Sequence, residues 1–133
     1  ASLPAPVILT GGLDDAHQVR EAFEQTGAAA VMIARGALGN PWLFARLTGG
    51  LQREPNPEEV RAELAWTVDR AVEHLGEPRA TRYLRKFYPW YVARLGLDAV
   101  AARELQEALQ TAETLSLARE LLGLQGAPAT VAV

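Results

Sequence analysis

The chain has 133 residues, a formal net charge of −3, 49% hydrophobic and 22% charged residues, and no cysteine. That is one ordinary domain's worth or two small ones, with the composition of a soluble globular protein. It excludes disulfides, thiolate metal sites and cysteine catalysis within the chain, and whole-molecule attraction to nucleic acid is not expected of it.

Leu3-Pro4-Ala5-Pro6 leads into an apolar run, Val7 to Thr10. Proline on either side of Ala5 favours extended backbone. The run reads as a strand buried on both faces of a parallel sheet. Gly11-Gly12 follows at once, and Asp14 or Asp15 then caps a helix carrying Ala16, Val19, Ala22, Phe23 and Thr26 at helical spacing. Gly27 closes that helix. Ala28 to Ala34 is a second strand; Arg35-Gly36 ends it, and helical character resumes around Ala37. A crossover helix requires the two strands to run parallel. Their turns then share the carboxyl edge of the sheet, where ligands of open sheets and barrels gather. Free N–H groups in such turns favour an anion, and Arg35 adds a planar fork for phosphate. The same pattern also fits an ordinary βα unit with a surface arginine. It matches neither a Walker A loop nor the dinucleotide glycine pattern.

Residues 49–57 form a linker by composition. Beyond it every apolar pattern is helical. Asn56-Pro57-Glu58-Glu59 is a helix start, followed by the stripe Val60, Leu64, Val68, Val72 and Leu75, with Gly76 as the stop. A second helix runs from Glu77 to about Tyr88, where Pro89 breaks it. Trp90 to Leu95 is a short helical piece closed by Gly96. Asp98 caps a last pattern that reaches Gly123 with a break near Thr111, and the tail from Gln125 is expected to fray.

Residues 79–91 hold four of the thirteen basic residues and five of the nine aromatics. Arg79, Arg82 and Lys86 share one helical face, with Arg85 beside it, and Tyr83, Phe87 and Trp90 share another. One reading is a basic face that grips RNA backbone; the other is a core helix with a solvated face. His17 and His74 are far apart and lack partners at metal spacing, so no metal site is expected. No nucleophile–base pair is visible, and no residue is assigned a catalytic role. No run is long enough to span a bilayer and no leader pattern opens the sequence, so a cytoplasmic protein is expected.

The segment from Met32 to Phe44, Met-Ile-Ala-Arg-Gly-Ala-Leu-Gly-Asn-Pro-Trp-Leu-Phe, resembles the last barrel strand and helix of bacterial tRNA-dihydrouridine synthases. The likeness extends upstream through Pro6-Val7-Ile8 and Gly11, and downstream through Arg82, Arg85-Lys86 and Trp90-Tyr91. It implies an FMN-bearing (β/α)₈ barrel followed by a helical tRNA-binding domain, and NADPH-dependent reduction of uridine in tRNA. On that template residues 1–52 are an α/β remnant, the last two βα units of a TIM barrel, and residues 53–133 an all-α helical bundle that binds tRNA. Thr10, Gly11, Gly12, Ala34, Arg35 and Gly36 would hold the FMN phosphate; Arg79, Arg82, Arg85 and Lys86 would face tRNA.

Thr10-Gly11-Gly12 stands where the family usually has Asn-Gly-Asp, Ala34 where it has glycine, and Phe87 where it has histidine. A whole barrel needs roughly 250 residues, so the resemblance implies a C-terminal piece whose N-terminal barrel portion, with the catalytic cysteine, is absent. Such a piece would be inactive alone, and its strand edges would be open to self-association. The alternatives are a fragment of another FMN barrel, such as an old-yellow-enzyme relative, and a non-catalytic RNA-binding or assembly module.

Overall fold

The computed structural model describes residues 4–124. They divide into two compact units, one within residues 4–54 and one within residues 55–124. The expectations for residues 1–3 and for the tail from Gln125 fall outside the described residues.

The first unit is built on two short strands, β1 (Ile8–Thr10) and β2 (Ala30–Met32), joined by helix α1 (Ala16–Thr26). The strands pair in parallel, Ile8 with Ala30, Leu9 with Val31 and Thr10 with Met32. Asp15 is the cap of α1, its carboxylate accepting the Gln18 N–H at 2.9 Å. Gly27 ends the helix in the left-handed region at φ 61°, its N–H donating to the Phe23 carbonyl at 3.0 Å. Ala16 and Val19 are the buried residues of α1, and the helix packs on β2 and on α2 (Trp42–Leu47). Arg20 ties α1 to α2 by donating to the Arg46 carbonyl at 2.7 Å, and Arg46 pairs with Glu54.

Two expectations fail here. The strands are shorter than the apolar runs Val7–Thr10 and Ala28–Ala34, and they are not buried on both faces: Ile8 is 64% and Met32 54% exposed. Of the helices, α1 packs on the sheet through β2. Nor does a helix resume at Ala37. Arg35–Ala37 is a single 3-10 turn, and α2 begins only at Trp42, after a Gly39-Asn40-Pro41 turn in which Asn40 is buried.

The second unit is all helix: α3 (Pro57–Leu75), α4 (Glu77–Leu84), α5 (Tyr88–Val92), α6 (Ala99–Thr111) and α7 (Leu115–Leu121). The start of α3 is a full capping box. The Asn56 side chain accepts the Glu59 N–H at 2.9 Å, and the Glu59 carboxylate accepts the Asn56 N–H at 2.8 Å. Val60, Leu64 and Val68 on one stripe of α3 are wholly buried, with Leu84, Tyr88, Val92 and Leu109 from the other helices. Each such aliphatic side chain contributes about 1.5–3 kcal/mol by leaving water. Arg61 donates from Nε to the Leu122 carbonyl at 3.3 Å, and Arg119 pairs with Asp69, so two arginines brace the α7 region against α3. Asp98 and Thr114 cap α6 and α7, which places the break expected near Thr111 at residues 112–114.

The helix expected to run to Tyr88 stops at Leu84. Pro89 sits in the first turn of α5. It has no N–H for the carbonyl four residues back, and its ring would collide with that carbonyl in a continuous helix. That carbonyl belongs to Arg85, one residue past the end of α4. It is taken instead by Gln110 Nε2 at 2.9 Å.

Candidate functional site

At the carboxyl edge of the sheet, β1 runs into Gly11 and Gly12, and β2 runs through Ala34 into the Arg35–Ala37 turn. Gly11 and Gly12 take φ of 111° and 63°, conformations that L side chains rarely adopt. Gly36 serves differently. A Cβ there would lie 2.1 Å from the Leu13 carbonyl oxygen. The second turn therefore rests on the backbone of the first, and only a hydrogen fits between them. Among the described residues, the backbone N–H groups of Gly12, Arg35 and Gly36 donate to no protein acceptor outside the sheet ladder. Arg35 is exposed and has no acidic partner among those residues. Three free donors and a free guanidinium on two touching loops suit a phosphate. The donors come from loops rather than from a helix N-terminus, because α2 starts five residues beyond Ala37. Thr10 closes β1 with an exposed side, and Ala34 enters the turn at φ −108°.

The sequence motif singled out Arg35-Gly36 but not Leu13, whose carbonyl sets how close the two turns come. No periodicity marks a carbonyl as a contact. The signal available was the glycine itself, at a position with no positive φ to require it.

The basic and aromatic segment is sorted by the break after α4. Arg79, Arg82 and Lys86 are exposed, and none has a carboxylate partner among the described residues. Arg85 turns inward: its Nη2 donates to the Ala112 carbonyl at 2.8 Å, just past the end of α6, and its Nε is buried. The two faces expected to be separate meet at Lys86, whose Nζ lies 4.1 Å from the Tyr83 ring centroid and 5.2 Å from that of Phe87. Tyr83 and Phe87 are themselves 5.1 Å apart, tilted by 52°. Tyr83 and Trp90 are 43% and 40% exposed, whereas Tyr88 and Tyr91 are buried. Burial pushes the Tyr88 hydroxyl up to about 12, with the Arg119 and Arg85 charges acting against it. Burial also raises Tyr91, against its hydrogen bond to Thr67.

His17 faces Glu21 across one helical turn at 3.8 Å, and both are exposed. No cluster of three metal-ligating side chains occurs among the described residues, and none of their helices is long and apolar enough to cross a membrane.

A family model described as "Dihydrouridine synthase (Dus)" matches residues 1–125. The chain belongs to the dihydrouridine synthase family. It is 32% identical over 127 residues to a probable tRNA-dihydrouridine synthase of Rhodobacter capsulatus, covering 90% of this chain and 38% of that one. It is 31% identical over 119 residues to tRNA-dihydrouridine synthase B of Xanthomonas campestris, covering 86% and 35%. A probable tRNA-dihydrouridine synthase of Mycobacterium leprae is 36% identical over 115 residues, covering 83% and 29%. The chain thus spans about a third of the length of the family members it matches. The matched region takes in both the loop edge and the basic and aromatic segment.

Proposed function

We propose that this chain is the C-terminal portion of a flavin-dependent tRNA-dihydrouridine synthase, which reduces uridine to 5,6-dihydrouridine in tRNA with NADPH as reductant, in the cytoplasm. On this reading residues 1–52 supply the last two βα units of a (β/α)₈ barrel and residues 53–133 a helical domain that binds tRNA. The observation that carries it is the loop edge, where two touching turns leave free N–H groups of Gly12, Arg35 and Gly36 beside an unpaired Arg35. Barrels place their phosphate sites on the loops after the last two strands.

FMN, when bound, supplies the hydride for the uracil ring. The residues of this chain would hold its phosphate: Gly12 and Gly36 through backbone N–H, Gly11 through the positive φ that turns the chain, Arg35 through N–H and guanidinium, with Thr10 and Ala34 at the ends of the two strands. Ala34 keeps the N–H that a glycine would offer. Arg79, Arg82 and Lys86 meet the tRNA phosphates, while Arg85 holds the end of α6 behind them. The acid that protonates the uracil ring belongs to the rest of the protein, so this chain alone is inactive.

The test is a fluorescence titration of the chain with FMN, with Arg35→Ala as control and inorganic phosphate as competitor. Saturable binding that phosphate displaces and Arg35→Ala loses supports the reading. No saturation at millimolar FMN, or binding that Arg35→Ala leaves intact, overturns the cradle.

A further inference from the structure

The exposed side of α4 and its following turn combines two features that an ordinary solvated face does not need. Arg79, Tyr83 and Lys86 lie at i, i+4 and i+7, with Arg82 beside Tyr83. The three cations have no carboxylate partner among the described residues; Glu77, in the first turn of α4, pairs with none of them. The aromatic ring at their centre, Tyr83, is 43% exposed. The Lys86 ammonium sits 4.1 Å from the ring centroid.

We propose that Tyr83 is a stacking platform for an unpaired nucleotide, with Arg79, Arg82 and Lys86 holding the phosphates that flank it. This rests on the RNA-binding reading above and deepens it by naming the form of RNA taken, a single-stranded segment rather than duplex. The chemistry argues for that choice. A base offers a π-face to the ring, and its own phosphates lie a few ångströms away, where the cations stand. Duplex RNA would use the cations alone, since its bases are stacked on each other and present only backbone and groove. An acidic peptide would likewise use the charges and leave the ring without a role. Lys86 also lies over the ring, so its charge stands beside the stacking surface.

The experiment is fluorescence anisotropy of the whole chain with a labelled oligouridylate and, separately, a labelled RNA duplex of equal length, across a salt series. The variants are Tyr83→Ala, Tyr83→Phe, Lys86→Gln and the double variant Arg79→Gln/Arg82→Gln; circular dichroism melting checks that each folds. The single strand should bind more tightly than the duplex. Tyr83→Ala should weaken it roughly tenfold with the salt slope unchanged, since base stacking is sequence-tolerant and uncharged. Tyr83→Phe should restore it. Lys86→Gln should lower the salt slope by about one. If the double charge variant weakens binding but Tyr83→Ala does not, or if duplex binds as tightly as single strand, the platform is overturned and the RNA reading stands. If the unaltered chain binds neither RNA at low salt, the RNA reading falls with it.

Discussion

Gly36→Ala should separate the two loops at the sheet edge. The added Cβ would lie 2.1 Å from the Leu13 carbonyl oxygen and 3.0 Å from Asp14 Cα, both backbone atoms that cannot swing aside. A relaxed carbon–oxygen contact needs about 3.3 Å, so the turns must part by roughly 1 Å. Forced overpacking of this kind costs about 1–3 kcal/mol. A movement of 1 Å also takes the Arg35 and Gly36 N–H groups outside hydrogen-bond range of an anion that the Gly12 N–H still holds. One lost bond to a charged acceptor is worth about 1.5–3 kcal/mol, a roughly tenfold to hundredfold loss of affinity. Gly12→Ala is the informative control. No atom lies within 4 Å of its added Cβ, so its cost is the φ of 63° alone, about 1–2 kcal/mol, with no displacement of the second loop. FMN titration measures the affinity, and backbone amide NMR shifts of Leu13, Asp14 and Arg35 report the loop separation without flavin. If Gly36→Ala leaves both those shifts and the FMN dissociation constant unchanged, the apposition of the two turns is not what shapes the site.

Removing the α3 cap with Asn56→Ala should cost about 1 kcal/mol, read as a lower melting temperature, because it leaves the Glu59 N–H without its acceptor. Tyr88→Phe should stabilise the second unit by about 1 kcal/mol, since the buried hydroxyl has no partner among the described residues; a fall in melting temperature would refute this. The same variant should flatten the alkaline decline in stability. Tyr88 ionises at about 12 in the folded chain against 10.0 ordinarily, so the unfolded chain loses its proton first and stability falls as pH rises from about 10 to about 12. Arg85→Ala should destabilise by about 1–2 kcal/mol through the lost bond to the Ala112 carbonyl, while Arg79→Gln and Arg82→Gln should stay within about 0.5 kcal/mol in thermal melts. Hydrogen exchange should be faster at Leu9 and Val31 than at Leu64 and Val68, whose side chains are wholly buried; equal protection would sink that ranking.

What was legible in the sequence is what local chemistry decides. Asn56 through Glu59, Asp98 and Gly27 act on backbone groups within a few residues, and each sits where a reader of the sequence puts it. The parallel pairing of the strands followed from the length of the crossover alone. The end of α4 was not legible in the same way. Pro89 was visible as a breaker, but a proline disrupts the turn before it, and where the chain yields depends on a distant donor for the stranded Arg85 carbonyl. Gln110 provides the donor from 25 residues away. The direction of Arg85 was hidden for the same reason. By spacing it is one of four cations on a helix, and only the packing of α6 decides that it faces inward.

The strands raise the opposite question, why a pattern so clear in sequence is answered so thinly. Val7 to Leu9 and Val31 to Ile33 are continuous apolar runs, the pattern of strands covered on both faces. Within the described residues Leu9, Val31 and Ile33 are half-covered, while Ile8 and Met32 stand largely in water. Burying those two side chains fully would contribute about 1.5–3 kcal/mol each, and a two-stranded sheet is marginal alone. The side chains therefore carry more cover in their pattern than this stretch of chain provides. Further elements packed on its faces would supply it, and relatives roughly three times as long have the length to do so. The exposed sheet and the loop edge then support one another. A barrel that closes on β1 and β2 would hold fixed the two strand ends from which the proposed phosphate loops spring.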